Sequence, residues 1–217
     1  MGKLQVLTKE QQIILSEVGK DPYFNDFYFT GGTALSAYYL QHRYSEDLDF
    51  FSKDKFDTQI VENIFDNLSK KYRFEYTSEF IEIVQIFMIS FKNEGPLKVD
   101  FATYPYIKIE EEKIIDGVKI DSLVDIAVNK LHTINQRTTV KDFVDLYFLL
   151  KKFSFWDLRE GIQIKFRQKL EPFIFASDFL KVDEFDTMPR MIKPLSLSEL
   201  KIFFREKAKE LAKSAVE

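Results

Sequence analysis

The sequence predicts an α+β fold: a mixed sheet flanked by helices, followed by a helical C-terminal lobe. Two observations carry this. Short apolar strand-like runs alternate with helical periodicities up to about residue 104, and beyond the Asp116-Gly117 turn only helical patterns recur. No stretch rich in Gly, Ser or Pro separates the halves, so residues 1–115 are expected to form a core and residues 116–217 a lobe packed on it.

The elements follow in order. Residues 8–19 carry Ile13, Ile14, Leu15 and Val18 at helical spacing. Phe27-Tyr28-Phe29 reads as a short buried strand entering Gly31-Gly32. From Thr33 to about His42, Ala34, Leu35, Tyr38 and Tyr39 recur with helical period. The next strand runs from Asp47 to Phe51, with Leu48 and Phe50 facing the core and both aspartates opposite. A helix over 58–70 rests on Ile60, Ile64, Phe65 and Leu68. Strand runs at about Phe80–Phe91 and Lys98–Tyr104 flank an Asn93-Glu94-Gly95-Pro96 turn. Ser122 with Asp125, Thr139 with Asp142, and Ser196 with Glu199 read as capping boxes. They open helices reaching about Gln136, Lys152 and Lys213.

Composition excludes several chemistries. The 217 residues contain no cysteine, which removes disulfides, thiolate zinc sites and cysteine nucleophiles. With only His42 and His132, a histidine zinc site or a Ser-His-Asp triad is not expected. No window approaches the roughly eighteen uncharged apolar residues of a membrane span. The start, Met1 to Val6, lacks a signal peptide's apolar region, so a cytoplasmic location is expected. The net charge of −4 does not draw the whole protein to nucleic acid. Local basic groups at Lys70-Lys71-Tyr72-Arg73, Lys151-Lys152 and Arg167 to Lys169 read first as solvated helix faces.

The chemistry-bearing residues lie early. A strand ending in Gly31-Gly32 leaves the backbone bare enough for a phosphate to approach, and Thr33 adds a hydroxyl. Asp47 and Asp49, at i and i+2, share one face of a strand about 7 Å apart. Aspartate is disfavoured within strands. Two such carboxylates beside a phosphate cradle suit a divalent cation that completes its shell with phosphate oxygens, and Mg²⁺ is the expected ion. Asp100 alternates with Val99 and Phe101 and is a third candidate, either for the cation or for activating an incoming hydroxyl. Lys130, Arg137, Lys141 and Asp142 form a later group in which a cation could offset charge on a leaving pyrophosphate. Phe143, Leu146, Tyr147 and Leu150 are expected to form that helix's buried stripe, with Asp142 at its margin and Asp145 in solvent.

Taken together, Gly31-Gly32-Thr33-Ala34-Leu35, then His42 through Asp47-Leu48-Asp49-Phe50-Phe51, then Lys98-Val99-Asp100-Phe101, Lys130-Leu131 and Arg137 through Leu146, resemble the nucleotidyltransferases of the AbiEii/AbiGii toxin family. The likeness covers roughly residues 28–150. It implies a polymerase-β-like nucleotidyltransferase core with a helical C-terminal lobe. Asp47 and Asp49 would ligate Mg²⁺, Lys130 would contact the nucleotide phosphates, and Asp142 would be a further catalytic acid. The family takes Gly or Ser at its first motif's second position, here Gly32. The resemblance implies an NTP substrate, a tRNA 3′ end as one acceptor and a separately encoded antitoxin as partner.

The reading is therefore an Mg²⁺-dependent enzyme that moves a nucleoside monophosphate from an NTP to an acceptor hydroxyl. Gly31, Gly32, Thr33, Arg43 and Lys130 would bind the nucleotide, and Asp47, Asp49 and Asp100 the metal. A small molecule or a protein side chain is the alternative acceptor. A catalytically silent binding module is the alternative of another class.

Overall fold

The computed structural model describes residues 6–92 and 94–214. The N-terminal Met1–Gln5 stretch and Asn93 of the expected turn lie outside the described residues. The described residues form two compact units, the first within Met1–Ala37, Ser45–Tyr106 and Glu112–Asp121, the second within Tyr38–Tyr44, Ile107–Glu111 and Ser122–Glu217.

The first unit is built on a seven-stranded mixed sheet. Its strands are β1 (Phe27–Thr30), β2 (Leu48–Ser52), β3 (Glu75–Ile81), β4 (Val84–Ser90), β5 (Leu97–Thr103), β6 (Lys113–Ile115) and β7 (Val118–Ile120). They lie in the order β3-β4-β5-β2-β1-β7-β6. The β2–β5 and β1–β7 pairs are parallel and the others antiparallel. Helix α1 (Lys9–Val18) starts at a capping box between Thr8 and Gln11. Helix α3 (Thr58–Tyr72) is capped by Asp57.

Strand alternation puts a row of phenylalanines on one face of the central strands and a row of carboxylates, beside Tyr28 and Phe51, on the other. Phe29, Phe50 and Phe101 pair in one row across β1, β2 and β5. Phe50 and Phe101 stack with ring centroids 5.1 Å apart. Phe65 of α3 covers this face, stacking on Phe87 at 4.0 Å. Each ring here is fully buried, which at roughly 25 cal/mol per Å² makes the row a main source of the unit's stability. On α3 the buried stripe is Val61, Phe65 and Leu68, whereas Ile60, expected in it, is exposed.

The expected Phe80–Phe91 strand is instead a hairpin. The chain reverses at Glu82-Ile83, with Glu82 at φ +55°, and β3 begins back at Glu75. No Gly, Asn, Asp or Pro marks that reversal, which is why it reads as continuous strand. The Asp116-Gly117 turn has both residues at positive φ and joins β6 to β7. That hairpin extends the sheet, so the first unit continues to Asp121, beyond the boundary expected at 115.

The second unit is helical: α4 (Leu123–Gln136), α5 (Val140–Leu149), α6 (Phe155–Phe166), α7 (Pro172–Leu180) and α8 (Leu197–Ser214). Its core includes Leu131, Phe143, Phe175, Phe179 and Phe204, with Phe204 set edge-on to both Phe143 and Phe179. Helix α6 passes close to α4 at Gly161, where an added Cβ would overlap Val128 Cγ2.

Candidate functional site

In the first unit, the carboxylates gather on the sheet face opposite the phenylalanine row. Thr30 pairs with Asp49 across the antiparallel β1–β2 ladder, and Asp49 pairs with Asp100 across the parallel β2–β5 ladder. Their side chains therefore form one row on the face opposite Phe50 and Phe101. Asp121, directly after β7, extends the row: its buried Oδ2 accepts a 2.7 Å hydrogen bond from the Thr30 hydroxyl. Sequence reasoning missed Asp121. Its signal was a lone Asp between an apolar strand and the Ser122 cap.

The chain then leaves β1 at Gly31, where φ is +76°. Here glycine is required twice over, by the left-handed backbone and because a Cβ would overlap Asp49 Oδ2. The bare turn thus lies against the Asp49 carboxylate. Gly31–Ala34 forms the helical start of α2, which continues as a π-helix from Leu35 to Leu40. Helix geometry thus begins two residues before the expected Thr33.

Thr33 has a different duty from the one expected. Its buried hydroxyl donates to the backbone carbonyl of Asp47, tying the start of α2 to the entry of β2. It is a fastener there, not a phosphate donor. Gln11 of α1 holds the same approach, its amide donating to the Ser45 and Glu46 carbonyls at 3.0 and 2.9 Å. Asp47 itself precedes β2 and stands near enough to Asp100 for their charges to repel.

Asp100 has unusual surroundings. Its Oδ2 accepts from the Lys98 ammonium, while its buried Oδ1 has no hydrogen-bond partner among the described residues. Burial raises its pKa and Lys98 opposes that, with Asp47 raising it further. Among the described residues no three His, Asp or Glu side chains are drawn together tightly enough to hold a metal ion. Asp47, Asp49 and Asp100 thus border one face without converging, and Lys98 takes one of the oxygens. The donor chemistry nevertheless suits a hard divalent cation. Carboxylates share the face, one oxygen is buried and unsatisfied, and a bare backbone turn adjoins them.

The second unit holds a separate charge network. Lys130 of α4 pairs with Asp142 Oδ1 at 2.7 Å and Asp145 Oδ2 at 2.6 Å. Asp145, expected in solvent, is wholly buried. It also takes Arg43 through Nε at 2.6 Å and Nη2 at 2.8 Å, and His42 Nε2 at 2.7 Å. Arg43 is buried too, so the reading of it as a nucleotide contact gives way to an internal ion pair. Thr139 does not cap α5 through the backbone. Its hydroxyl donates to Asp142 Oδ2, which Arg137 Nε also reaches. Lys141 is exposed on the first turn of α5.

The electrostatics of this network are consistent. Burial works against the Asp142 charge, but Lys130, Arg137 and Thr139 prevail and hold its pKa at about 2. Asp145 is lowered as well, with Lys130 and Arg43 overcoming a heavy burial penalty. Burial likewise opposes the Lys130 ammonium, and the Asp145 and Asp142 carboxylates outweigh it and raise its pKa. Burial keeps His42 lowered despite Asp145. Lys130 is therefore a fixed positive charge clamped by two fixed negative ones.

This combination of an α+β mixed sheet with flanking helices and an aspartate row beside a diglycine turn defines the class of nucleotidyltransferase-fold proteins. The chain belongs to the family described as nucleotidyl transferase AbiEii toxin, type IV TA system, which matches residues 13–214. It is 36% identical over 214 residues to an uncharacterized protein of Aquifex aeolicus strain VF5, covering 95% of this chain and 98% of that one. Among solved structures it is similar in fold to JHP933 from Helicobacter pylori (TM-score 0.57, 24% identity, 97% of this chain and 93% of that chain). It is also similar to MenT4, a nucleotidyltransferase toxin from Mycobacterium tuberculosis H37Rv (TM-score 0.58, 16% identity, 94% and 82%). Among the described residues, no helix is long and apolar enough to cross a membrane.

Proposed function

We propose that the chain transfers a nucleoside monophosphate from an NTP to an acceptor hydroxyl, releasing pyrophosphate. The observation that carries this is the in-register pairing of Asp49 with Asp100 on the face where Gly31 opens the backbone. Asp47, Asp49 and Asp100 would hold the divalent cation, with Mg²⁺ the expected ion. When bound, such an ion neutralises the triphosphate and favours attack at the α-phosphorus.

The chain's own residues divide the remaining work. The turn at Gly31-Gly32 gives phosphate oxygens close access to backbone N–H groups. Asp100 Oδ1, buried and without a partner among the described residues, takes the proton of the attacking hydroxyl. Thr33 and Gln11 fix the loop that delivers Asp47. In the second unit, the Lys130, Asp142 and Asp145 network serves to fix α4, α5 and the His42-Arg43 segment. The expected roles of Lys130 at phosphate and Asp142 as catalytic acid are not needed for this account.

Family membership supports the class of reaction, a toxin role and an antitoxin partner. For the acceptor, a tRNA 3′ end is the first to try. The test is to incubate the protein with each α-labelled NTP, Mg²⁺ and total tRNA, and separately with small hydroxyl compounds and a carrier protein. Label on tRNA that disappears in Asp49→Asn is the expected result. Transfer only to a small molecule or protein would move the acceptor and keep the chemistry. No transfer to anything, together with no cation-dependent NTP binding, would leave a binding module.

A further inference from the structure

Lys98 and Asp100 stand at i and i+2 on β5, so the pleat puts both on the face that carries Thr30 and Asp49. The Lys98 ammonium pairs with Asp100 Oδ2. The pair is lopsided: the lysine side chain is 36% exposed, the aspartate 13%. Exposed ion pairs on strands contribute little, because water solvates both partners nearly as well. Here one partner is sunk beside Asp47 and in register with Asp49, where negative charge collects. A positive group placed there relieves the repulsion between Asp100 and Asp47.

We propose that Lys98 is a resident counter-ion of the carboxylate row. It holds Asp100 Oδ2 until a divalent cation displaces it, and so it sets the affinity of the row for that cation. This rests on the reading of Asp47, Asp49 and Asp100 as the cation-holding set. The physical argument is competition. An ammonium and a metal ion cannot both occupy one carboxylate oxygen at contact distance, so cation binding must first break the Lys98 pair. The cost of breaking it is subtracted from the affinity, and by linkage the ion weakens the pair equally. The released ammonium sits on a flexible stem that already reaches solvent, so its departure requires no change in the strand.

The test measures Mn²⁺ binding to the full, nucleotide-free chain from the paramagnetic resonance signal of free ion. Lys98→Met keeps the stem and removes the charge, and it should bind Mn²⁺ roughly tenfold tighter than the parent. Lys98→Arg should bind like the parent or more weakly, and Asp49→Asn should lose binding. Mn²⁺ should also raise the melting temperature of Lys98→Met more than that of the parent. If Lys98→Met fails to fold, Lys98→Gln carries the same expectation. Parent-like or weaker binding by the neutral variants, with Asp49→Asn still defective, would overturn the counter-ion role and leave the cation site standing. Binding absent from all, or equal in all including Asp49→Asn, would overturn both.

Discussion

Asp49 Oδ2 lies so close to the Cα of Gly31 that a methyl group on Gly31 would overlap it. The carboxylate and the turn thus shape each other. Gly31→Ala should cost about 1–3 kcal/mol from its positive φ and push Asp49 out of the row. Label transfer should fall more than about a hundredfold, beyond what lost stability explains. Gly95, where a Cβ would meet open space, is the control: Gly95→Ala should match the parent in melting and turnover.

Asp100 carries a charge that burial disfavours. Asp100→Asn removes that charge at nearly constant shape, so the cation-free protein should melt at the parent's temperature or slightly above it. Transfer should drop about a thousandfold if Oδ1 takes the acceptor's proton. Calorimetry with single-turnover kinetics checks both halves. A large stability loss would recast Asp100 as a structural residue.

The Lys130 network should govern acid stability. Folded Asp142 binds its proton less readily than the unfolded chain does, since its pKa is held at about 2. The stability this confers is complete above about pH 4 and drains away as pH falls toward 2. Urea midpoints should therefore fall steeply across that window. Lys130→Met leaves two buried carboxylates short of a partner and should cost about 3–5 kcal/mol at neutral pH.

Gly161 of α6 lies hard against Val128 of α4. Gly161→Ala drives a methyl into Val128 and should cost about 1–3 kcal/mol. Combining it with Val128→Ala should restore part of that loss, read as a non-additive double-mutant cycle in denaturant melts. Simple additivity would mean that the helices shift apart instead.

Legibility varied with how local each signal was. Gly31, Asp49 and the strand around them were readable because alternation and a bare turn are short-range patterns. The Glu82-Ile83 reversal was not, since its residues carry no turn chemistry and only pairing with β4 reveals it. Helices α6 and α7 are not among the expected elements, although the Ser154/Asp157 spacing and Pro172 before an apolar run mark their starts. The burial of Asp145, expected in solvent, and of Arg43, expected at the nucleotide, is not legible from either residue alone. Their burial depends on meeting a partner about a hundred positions away, which periodicity does not encode.

The aspartate row and the phenylalanine row are opposite sides of the same three strands. Sliding β5 along β2 by one residue would bury Asp100 among rings and turn Phe101 outward. Hydrophobic fit therefore serves as the ruler for the alignment of the aspartate row, and a repacked interior should shift that row without touching a polar atom. Drift in the aromatic core should accordingly be slow in any relative that keeps the activity, and quick in one that has abandoned it.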